Sequence, residues 1–266
     1  MRTILAAIDS SASRRPVINL ATSMAKTLNA CPEAFHVCEG GLQASFTAEN
    51  LGAAYRLAEG DPLSQIVGRA AESDVVAVVV GAGGHPKTRI LGHLARQIAD
   101  LTEKPVLVVP RDAQPRDRIR RVVIAMEGTP AKARNLKVVF DLASPVDVDL
   151  VVIHVDDEST IPSFSDQVAH ETEAYAHEFL ARYLPRGPKP RLELRVGAPA
   201  DEIIDLTEGF GADLLAVGWP QMAAGDHGAT AREILERSHV PVLLVALAPN
   251  EMLAGAVPTG ASGGPR

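Results

Sequence analysis

The stretch Ile4-Leu5-Ala6-Ala7-Ile8-Asp9 returns 118 residues later as Val122-Val123-Ile124-Ala125-Met126-Glu127. Each copy is a short apolar run that ends in an acidic residue. The same offset carries Phe35-His36-Val37 onto Ile153-His154-Val155. A repeat unit of this length is a domain rather than one turn of a solenoid. The chain of 266 residues therefore reads as a duplicated α/β domain.

After these strands, the number of residues that separates equivalent positions in the two halves increases. Gly81 corresponds to Gly218 at an offset of 137. The added length lies between the second and third strands of the second half. There we expect a helix at about residues 167–183, whereas the first half has only the short stretch 40–51.

Within each half, apolar patterns predict alternating strands and helices. Thr3 to Ile8 is a strand, and the next helix has apolar residues at helical spacing between Val17 and Leu28. Asp61 and Pro62 are typical of an N-cap followed by a first helical residue. Val75 to Val80 is a continuous apolar run, as in a strand buried on both faces of a parallel sheet. The order indicates a doubly wound parallel sheet in each half.

The repeat also sets the expected domain boundaries. We expect a first domain over residues 1–112, a second over residues 113–247, and a linker near residues 111–118. Residues 248–266 are rich in Gly, Pro and Ala without periodicity, so we expect a disordered tail.

The composition argues against several classes of function. A formal charge of −7 disfavours a nucleic-acid partner, because such binding draws on clustered Lys and Arg. No stretch approaches the roughly 20 apolar residues of a membrane-spanning helix, so we expect a cytoplasmic protein with no membrane partner. Cys31 and Cys38 bracket a predicted strand that holds them beyond disulfide reach, and both are expected to be reduced.

Candidate binding residues collect at one edge of the first half. In an open parallel sheet, ligands bind outside the carboxyl ends of the strands, where the strand order reverses. That edge carries Asp9, residues 36–38 and the glycine-rich loop 81–93. Glycines allow close approach of the backbone, and the following helix offers free N–H groups. The loop therefore predicts a phosphate cradle, to which Lys87 and Arg96 would add positive charge.

These residues resemble those of the universal stress protein family, over both halves from about residue 3 to residue 246. The family's first strand ends in an acidic residue, as at Asp9, and its second often reads like Phe35-His36-Val37. The resemblance implies two Rossmann-like or flavodoxin-like α/β domains in tandem. It also implies that the final strands, 105–109 and 241–245, pair within the chain as a pseudo-dimer. A homodimer of such tandem chains is a further option that the sequence leaves open.

By this resemblance the first half would bind ATP or another adenine nucleotide. Asp9 and Val37 would hold the adenosine, while Gly81, Gly84 and Gly92 would wrap the phosphates. No metal is expected beyond magnesium bound to the nucleotide.

The glycine motif departs from the family pattern in two places. Nucleotide-binding members have nine residues between their second Gly and a final Gly-Ser or Gly-Thr, whereas seven residues separate Gly84 from Gly92. His93 stands where the family has the Ser or Thr that contacts phosphate, and it remains a candidate site residue. The alternative is that these glycines only shape a tight loop.

The second half departs further from the pattern. Gly218 is followed by Trp219, Pro220 and Gln221, so the second glycine is missing and Trp219 is expected to crowd the loop. Thr230 and Glu233 fit a capping box, which would use the N–H donors that an anion needs. The second pocket is therefore predicted to be degenerate.

Other chemistry has weaker support. His170, Glu173 and His177 share a helical face but lack the i, i+4 pair of a zinc helix, so no metal site is expected. His36 and His154 occupy matching positions and are interpreted as satisfied core or edge residues. No Ser-His-Asp arrangement with nucleophile-elbow spacing is visible. We expect no catalytic residue and no enzyme, with slow hydrolysis of bound ATP as the most that the chain would do.

The leading interpretation is a cytoplasmic stress-response or regulatory protein. It would bind an adenine nucleotide in its first half and act through an unidentified protein partner. The alternative is an interaction scaffold that binds no nucleotide because both pockets have decayed. A third interpretation is an enzyme that activates a substrate with ATP.

Overall fold

The computed structural model describes residues 1–9, 14–38, 53–83, 91–126, 134–143, 147–156, 190–221 and 228–247. The helix expected at residues 167–183, with its three candidate metal ligands, lies outside this range. The expected tail, residues 248–266, also lies outside it.

The described residues form strands and helices that alternate along the chain. The strands are β1 (Thr3–Ile8), β2 (Cys31–Cys38), β3 (Ala54–Glu59), β4 (Val75–Gly81), β5 (Val106–Val109), β6 (Arg121–Met126), β7 (Asp149–Asp156), β8 (Arg191–Val196), β9 (Leu214–Pro220) and β10 (Val242–Leu247). The helices are α1 (Arg14–Leu28), α2 (Pro62–Ala71), α3 (His93–Leu101), α4 (Arg134–Ala143), α5 (Pro199–Gly209) and α6 (Ala229–Arg237).

The strands form one sheet in the order β3-β2-β1-β4-β5-β10-β9-β6-β7-β8. Within each half every strand pair is parallel. The two halves have the same internal order, with β1 and β6 at equivalent positions. The prediction of two doubly wound parallel sheets in tandem is confirmed. The two sheets are joined edge to edge, because β5 pairs with β10.

The β5–β10 pair is the one antiparallel contact among the described strands. Leu107 lies opposite Leu243, and the pair is flanked by Val106 with Leu244 and Val108 with Val242. All six side chains are buried. The predicted pairing of the final strands within the chain is therefore confirmed.

Helices cover both faces of the sheet, as its buried strands require. One core cluster joins α1 and α4 to the face that includes Leu107 and Leu243. The other joins α2, α3, α5 and α6 to the opposite face. Each core runs through both halves without interruption at the β5–β10 pair.

Local sequence signals set one helix start as predicted. Asp61 is the N-cap of α2, and its Oδ2 accepts a hydrogen bond from Ser64 N at 2.8 Å. Pro62 occupies the first helical position, where its missing N–H costs nothing. Cys31 and Cys38 are free thiols at the two ends of β2, also as predicted.

The segment between β5 and β6 lies along α1 and is hydrogen-bonded to it. Thr27 Oγ1 accepts a hydrogen bond from Ile119 N at 3.0 Å, and Ser23 Oγ donates to Arg116 O. Asp213 Oδ2 accepts bonds from the backbone N–H groups of Arg120 and Arg121, at 2.8 and 3.1 Å. The linker is thus held by side chains of both halves.

A buried guanidinium ties together the amino ends of three strands in the first half. Arg69 makes two hydrogen bonds with Glu33 of β2 and two with Asp74, which precedes β4, each 2.9 Å long. Thr3 Oγ1 at the start of β1 donates to Asp74 Oδ2 at 2.6 Å. The positions equivalent to Arg69 and Asp74 in the second half are Leu206 and Gly211. This cluster therefore belongs to the first half alone.

Replacing Arg69 with Met should destabilise the protein. The change leaves Glu33 and Asp74 facing one another without their cation, which we expect to cost about 3 kcal/mol, near the low end for breaking a buried ion pair because Asp74 is partly exposed to water. Arg237→Met on α6 is the matched control, since its partners Asp201 and Glu233 are exposed. Urea unfolding of both variants measures the difference. Equal losses would contradict a special role for Arg69.

The same cluster predicts that the free energy of unfolding depends on pH in the acidic range. Hydrogen bonds from Arg69 and Thr3 hold the pKa of Asp74 well below its ordinary value of 3.8. A carboxylate with a lowered folded pKa adds stability above its unfolded pKa and loses it as the pH falls toward the folded value. The difference in unfolding free energy between the parent chain and Arg69→Met should be constant above about pH 5 and narrow below about pH 4. A difference that stays flat to pH 2 would argue against this assignment.

Candidate functional site

The strand order places one switch point in each half, between β1 and β4 and between β6 and β9. Ala7 of β1 pairs with Val80 of β4, so Asp9 and Gly81 lie on either side of the first switch point. Ile8 pairs with His36, which puts Val37 level with Asp9 on the next strand. Asp9 is exposed and Val37 is half-buried. Three of the predicted site residues thus share one edge of the sheet, where doubly wound folds bind ligands.

Two buried histidines close the strand ends beside the switch points. His36 Nδ1 lies 3.0 Å from Ile8 O, and His154 Nδ1 lies 3.0 Å from Met126 O. A carbonyl oxygen only accepts, so Nδ1 carries the proton in both rings. The bonds fix the last carbonyl of β1 and of β6. The interpretation of these histidines as satisfied edge residues is confirmed.

The base of the glycine loop is closed by backbone contacts. Gly92 N donates to Ala82 O at 2.6 Å, and Ala82 N donates to Val109 O at 2.9 Å. Gly83 has φ of +62°, and a methyl group placed on it would lie 3.3 Å from Gly92 Cα. Glycine is therefore favoured at Gly83 both by its φ and by this close approach. Gly84 lies outside the described residues.

The helix α3 starts directly at this closed base. Gly92 is its N-cap and has no side chain to use the first N–H groups of the helix. His93 is the first helical residue and is exposed. Because helix N-termini carry a partial positive charge, this start favours an anion. Gly92 and His93 are thus connected through Ala82 to the strand edge that carries Asp9, Val37 and Gly81.

The equivalent base in the second half is built differently. Gly218 lies in β9, which continues buried through Pro220, and Gly228, with φ of +91°, is the N-cap of α6. A methyl group on Gly228 would lie 2.6 Å from Pro220 Cγ. The proline ring occupies the position that corresponds to Gly83. In the second half, the Pro220 side chain thus fills the space that lies between Gly83 and Gly92 in the first half.

Trp219 makes a contact that the sequence did not predict. Its buried indole donates from Nε1 to Asp100 Oδ1 at 2.8 Å, across the β5–β10 pair on the last turn of α3. Gln221 Nε2 donates to the carbonyl oxygens of Ala99 and Thr102 on the same turn, at 3.1 and 2.7 Å. The expected crowding concerns the loop 222–227, which lies outside the described residues.

The predicted capping box in the second half is wrong. The helix α6 begins at Ala229, so Thr230 is its second residue and cannot be the N-cap. Glu233 instead pairs with Arg237, with Oε1 2.6 Å from Nη1. The helix start is set by Gly228, whose positive φ a threonine would not adopt easily. The start of α6 is therefore determined by Gly228 rather than by the Thr-x-x-Glu pattern.

The described residues offer no sign of a metal centre or a membrane span. None of their His, Cys, Asp and Glu side chains forms a group of three or more that could hold a metal ion. None of the helices in the described ranges is long and apolar enough to cross a membrane.

Comparisons with known proteins agree with this architecture. A universal stress protein from Archaeoglobus fulgidus DSM 4304 superposes with a TM-score of 0.65 at 16% identity, covering 92% of this chain and 98% of its own. A functionally unknown protein from Pseudomonas aeruginosa PAO1 superposes with a TM-score of 0.71 at 16% identity, covering 96% and 97%. At such identities the likeness concerns the fold. Among curated proteins, none matches the chain in sequence.

The sequence model of the universal stress protein family matches residues 118–246, from the end of the linker to the last strand. The structures above extend the same fold over the first half. The resemblance to this family is confirmed for residues 118–246. Residues 118–246 of this chain thus match the universal stress protein family in sequence, and the first half shares its fold.

Proposed function

We propose that the chain is a regulatory protein of the stress response whose first half binds an adenine nucleotide and whose second half does not. The observation that carries the proposal is the closed glycine base at Gly83 and Gly92, beside the first switch point. The equivalent space in the second half is filled by Pro220 against Gly228. The two halves thus differ at the place where a phosphate would approach the backbone.

The family resemblance assigns roles to the remaining residues. Asp9 and Val37 would contact the adenosine, because they lie level at the ends of neighbouring strands. Gly81, Gly84, Gly92 and His93 would surround the phosphates, next to the uncapped start of α3. The exposed imidazole of His93 would supply a hydrogen-bond donor where the family has a hydroxyl.

Binding without turnover fits the residues of this edge better than catalysis does. The buried histidine of this edge, His36, uses Nδ1 for the backbone carbonyl of Ile8, which is a structural role. We therefore propose a sensor that changes its contacts with a protein partner in the cytoplasm, rather than an enzyme. Magnesium would enter only with the nucleotide.

A scaffold that binds no nucleotide is the second candidate. It is favoured by the shortened spacing between Gly84 and Gly92 and by His93 in place of Ser or Thr. In that case the glycines at the base would serve only to turn the chain between β4 and α3.

Small molecules released by denaturing the freshly purified protein distinguish the two candidates. We expect about one AMP, ADP or ATP per chain, identified and counted by mass spectrometry. Two per chain would contradict the loss of the second pocket. If none is released and calorimetry detects no binding of added nucleotide, the scaffold becomes the better description.

Substituting Gly83 tests the glycine base directly. Gly83→Ala forces a side chain into a left-handed conformation that costs about 1–2 kcal/mol and sets it against Gly92. The loop base would then populate its binding-competent form less often, and nucleotide affinity should fall about tenfold.

Gly68→Ala is the matched control for this substitution. Gly68 lies in the middle of α2, where a methyl group would meet nothing within 4 Å. This variant should gain about 0.5–1 kcal/mol of stability and keep its nucleotide affinity. Calorimetric titration of both variants with ATP and AMP measures the contrast. A folded Gly83→Ala chain with the parent affinity would rule out the proposed cradle.

A further inference from the structure

The end of β9 reaches out of the second half and onto the first. Trp219 and Gln221 both contact the last turn of α3, through Asp100, Ala99 and Thr102. The same strand end, by its equivalence to residues 82–84, would otherwise begin a ligand loop. The residues that depart most from the glycine pattern are therefore the ones that make a contact between the halves.

Gln221 acts as a cap for the C-terminus of α3. The last carbonyl groups of a helix have no partners within the helix, and those of Ala99 and Thr102 belong to this set. Thr102 N donates to Ile98 O at 3.0 Å, and Gln221 Nε2 donates to Ala99 O. Because both acceptors of Gln221 are carbonyl oxygens, its NH₂ group must face them.

Trp219 joins a chain of contacts that runs along α3. Its Nε1 bonds to Asp100 Oδ1, and Asp100 Oδ2 lies 3.8 Å from Arg96 Nε one turn earlier. Arg96 N in turn donates to Gly92 O at 3.0 Å, at the closed base of the glycine loop. A helix of nine residues is only about 14 Å long. The contact from the second half and the end of the first-half glycine loop therefore lie at the two ends of one helix.

Among the described residues, the Trp219 bond has no equivalent from the first half to the second. The residue equivalent to Trp219 in the first half is Ala82, whose methyl group offers no donor to α6. The last turn of α6 instead carries Arg237, which pairs with Asp201 and Glu233 of its own half. Trp219 of the second half thus bonds to α3 of the first half, whereas Ala82, the equivalent residue of the first half, makes no such bond to α6.

We propose that Trp219 and Gln221 form a clamp by which the second half regulates ligand binding at the glycine loop of the first half. The clamp fixes the C-terminal turn of α3 and, through Asp100 and Arg96, the N-terminal turn that would face phosphate. A signal that loosens the second half would loosen α3 and weaken binding. The regulatory part of this inference rests on the proposed nucleotide site, whereas the mechanical part, the stabilisation of α3, does not.

Hydrogen exchange tests the mechanical part without any ligand. Gln221→Met keeps the length of the side chain and removes both donors. Amides of residues 93–102 should then exchange about tenfold faster, because local opening of α3 no longer breaks two hydrogen bonds. Amides of α6 should be unchanged.

Glu233→Gln is the control, since it removes an exposed pair from α6 and leaves the clamp intact. Its exchange at residues 93–102 should match that of the parent chain. If Gln221→Met leaves α3 exchange at the parent rate, the clamp does not stabilise the helix and the proposal fails.

Nucleotide titration tests the regulatory part. The chain has a single tryptophan, so tryptophan emission reports on Trp219 alone. Titration with AMP and with ATP plus magnesium should change this emission in the parent chain. Coupling is reciprocal, so Gln221→Met should weaken the affinity severalfold and binding should slow α3 exchange in the parent.

The outcomes separate the two proposals. No binding to the parent chain refutes the proposed nucleotide function, and the exchange rates still decide whether the clamp exists. Binding with equal affinity to Gln221→Met, together with faster α3 exchange, refutes regulation and leaves a purely structural contact. Weaker binding accompanied by faster exchange supports both.

Discussion

The antiparallel ladder between β5 and β10 is the contact on which the rest of the molecule depends. Leu107 and Leu243 meet at its centre, and the six paired side chains are buried on the two faces of the sheet. Without this ladder each half would end in an apolar strand with unpaired backbone groups, which is a hazard for aggregation. The strands contribute to the same two cores that run through both halves. The ladder is thus part of the protein interior rather than a contact between two finished surfaces.

Because the ladder fixes the halves side by side, residues at one strand end can act on the neighbouring half. The first half keeps a base of two glycines at Gly83 and Gly92, while the second half closes the same place with Pro220 against Gly228. Trp219 and Gln221, on either side of that proline, turn to α3 instead. One strand end thus leads to a base of two glycines, and the other contacts a helix of the neighbouring half.

The parts of the fold that depend on local sequence were predictable. The apolar run of β4 and the Asp61-Pro62 start of α2 follow from patterns only a few residues long. The pairing of β5 with β10 came from the family resemblance. The Trp219–Asp100 bond joins residues 119 positions apart, so no local pattern could indicate it. The Arg69 cluster was missed for the same reason, since Glu33 lies 36 positions away. At α6, two local signals competed, and the glycine that permits a positive φ determined where the helix starts.

Covalent linkage of the halves has a consequence for how such a protein can diverge. If two identical chains met along the same ladder, any substitution would appear twice, and a bulky indole at one strand end would have to appear at the other. In a single duplicated gene the two copies mutate independently. Position 219 can therefore hold tryptophan while position 82 holds alanine, and the assembly always contains one of each. In one covalent chain, the residues at positions 82 and 219 need not be identical, so the two halves can take different functions.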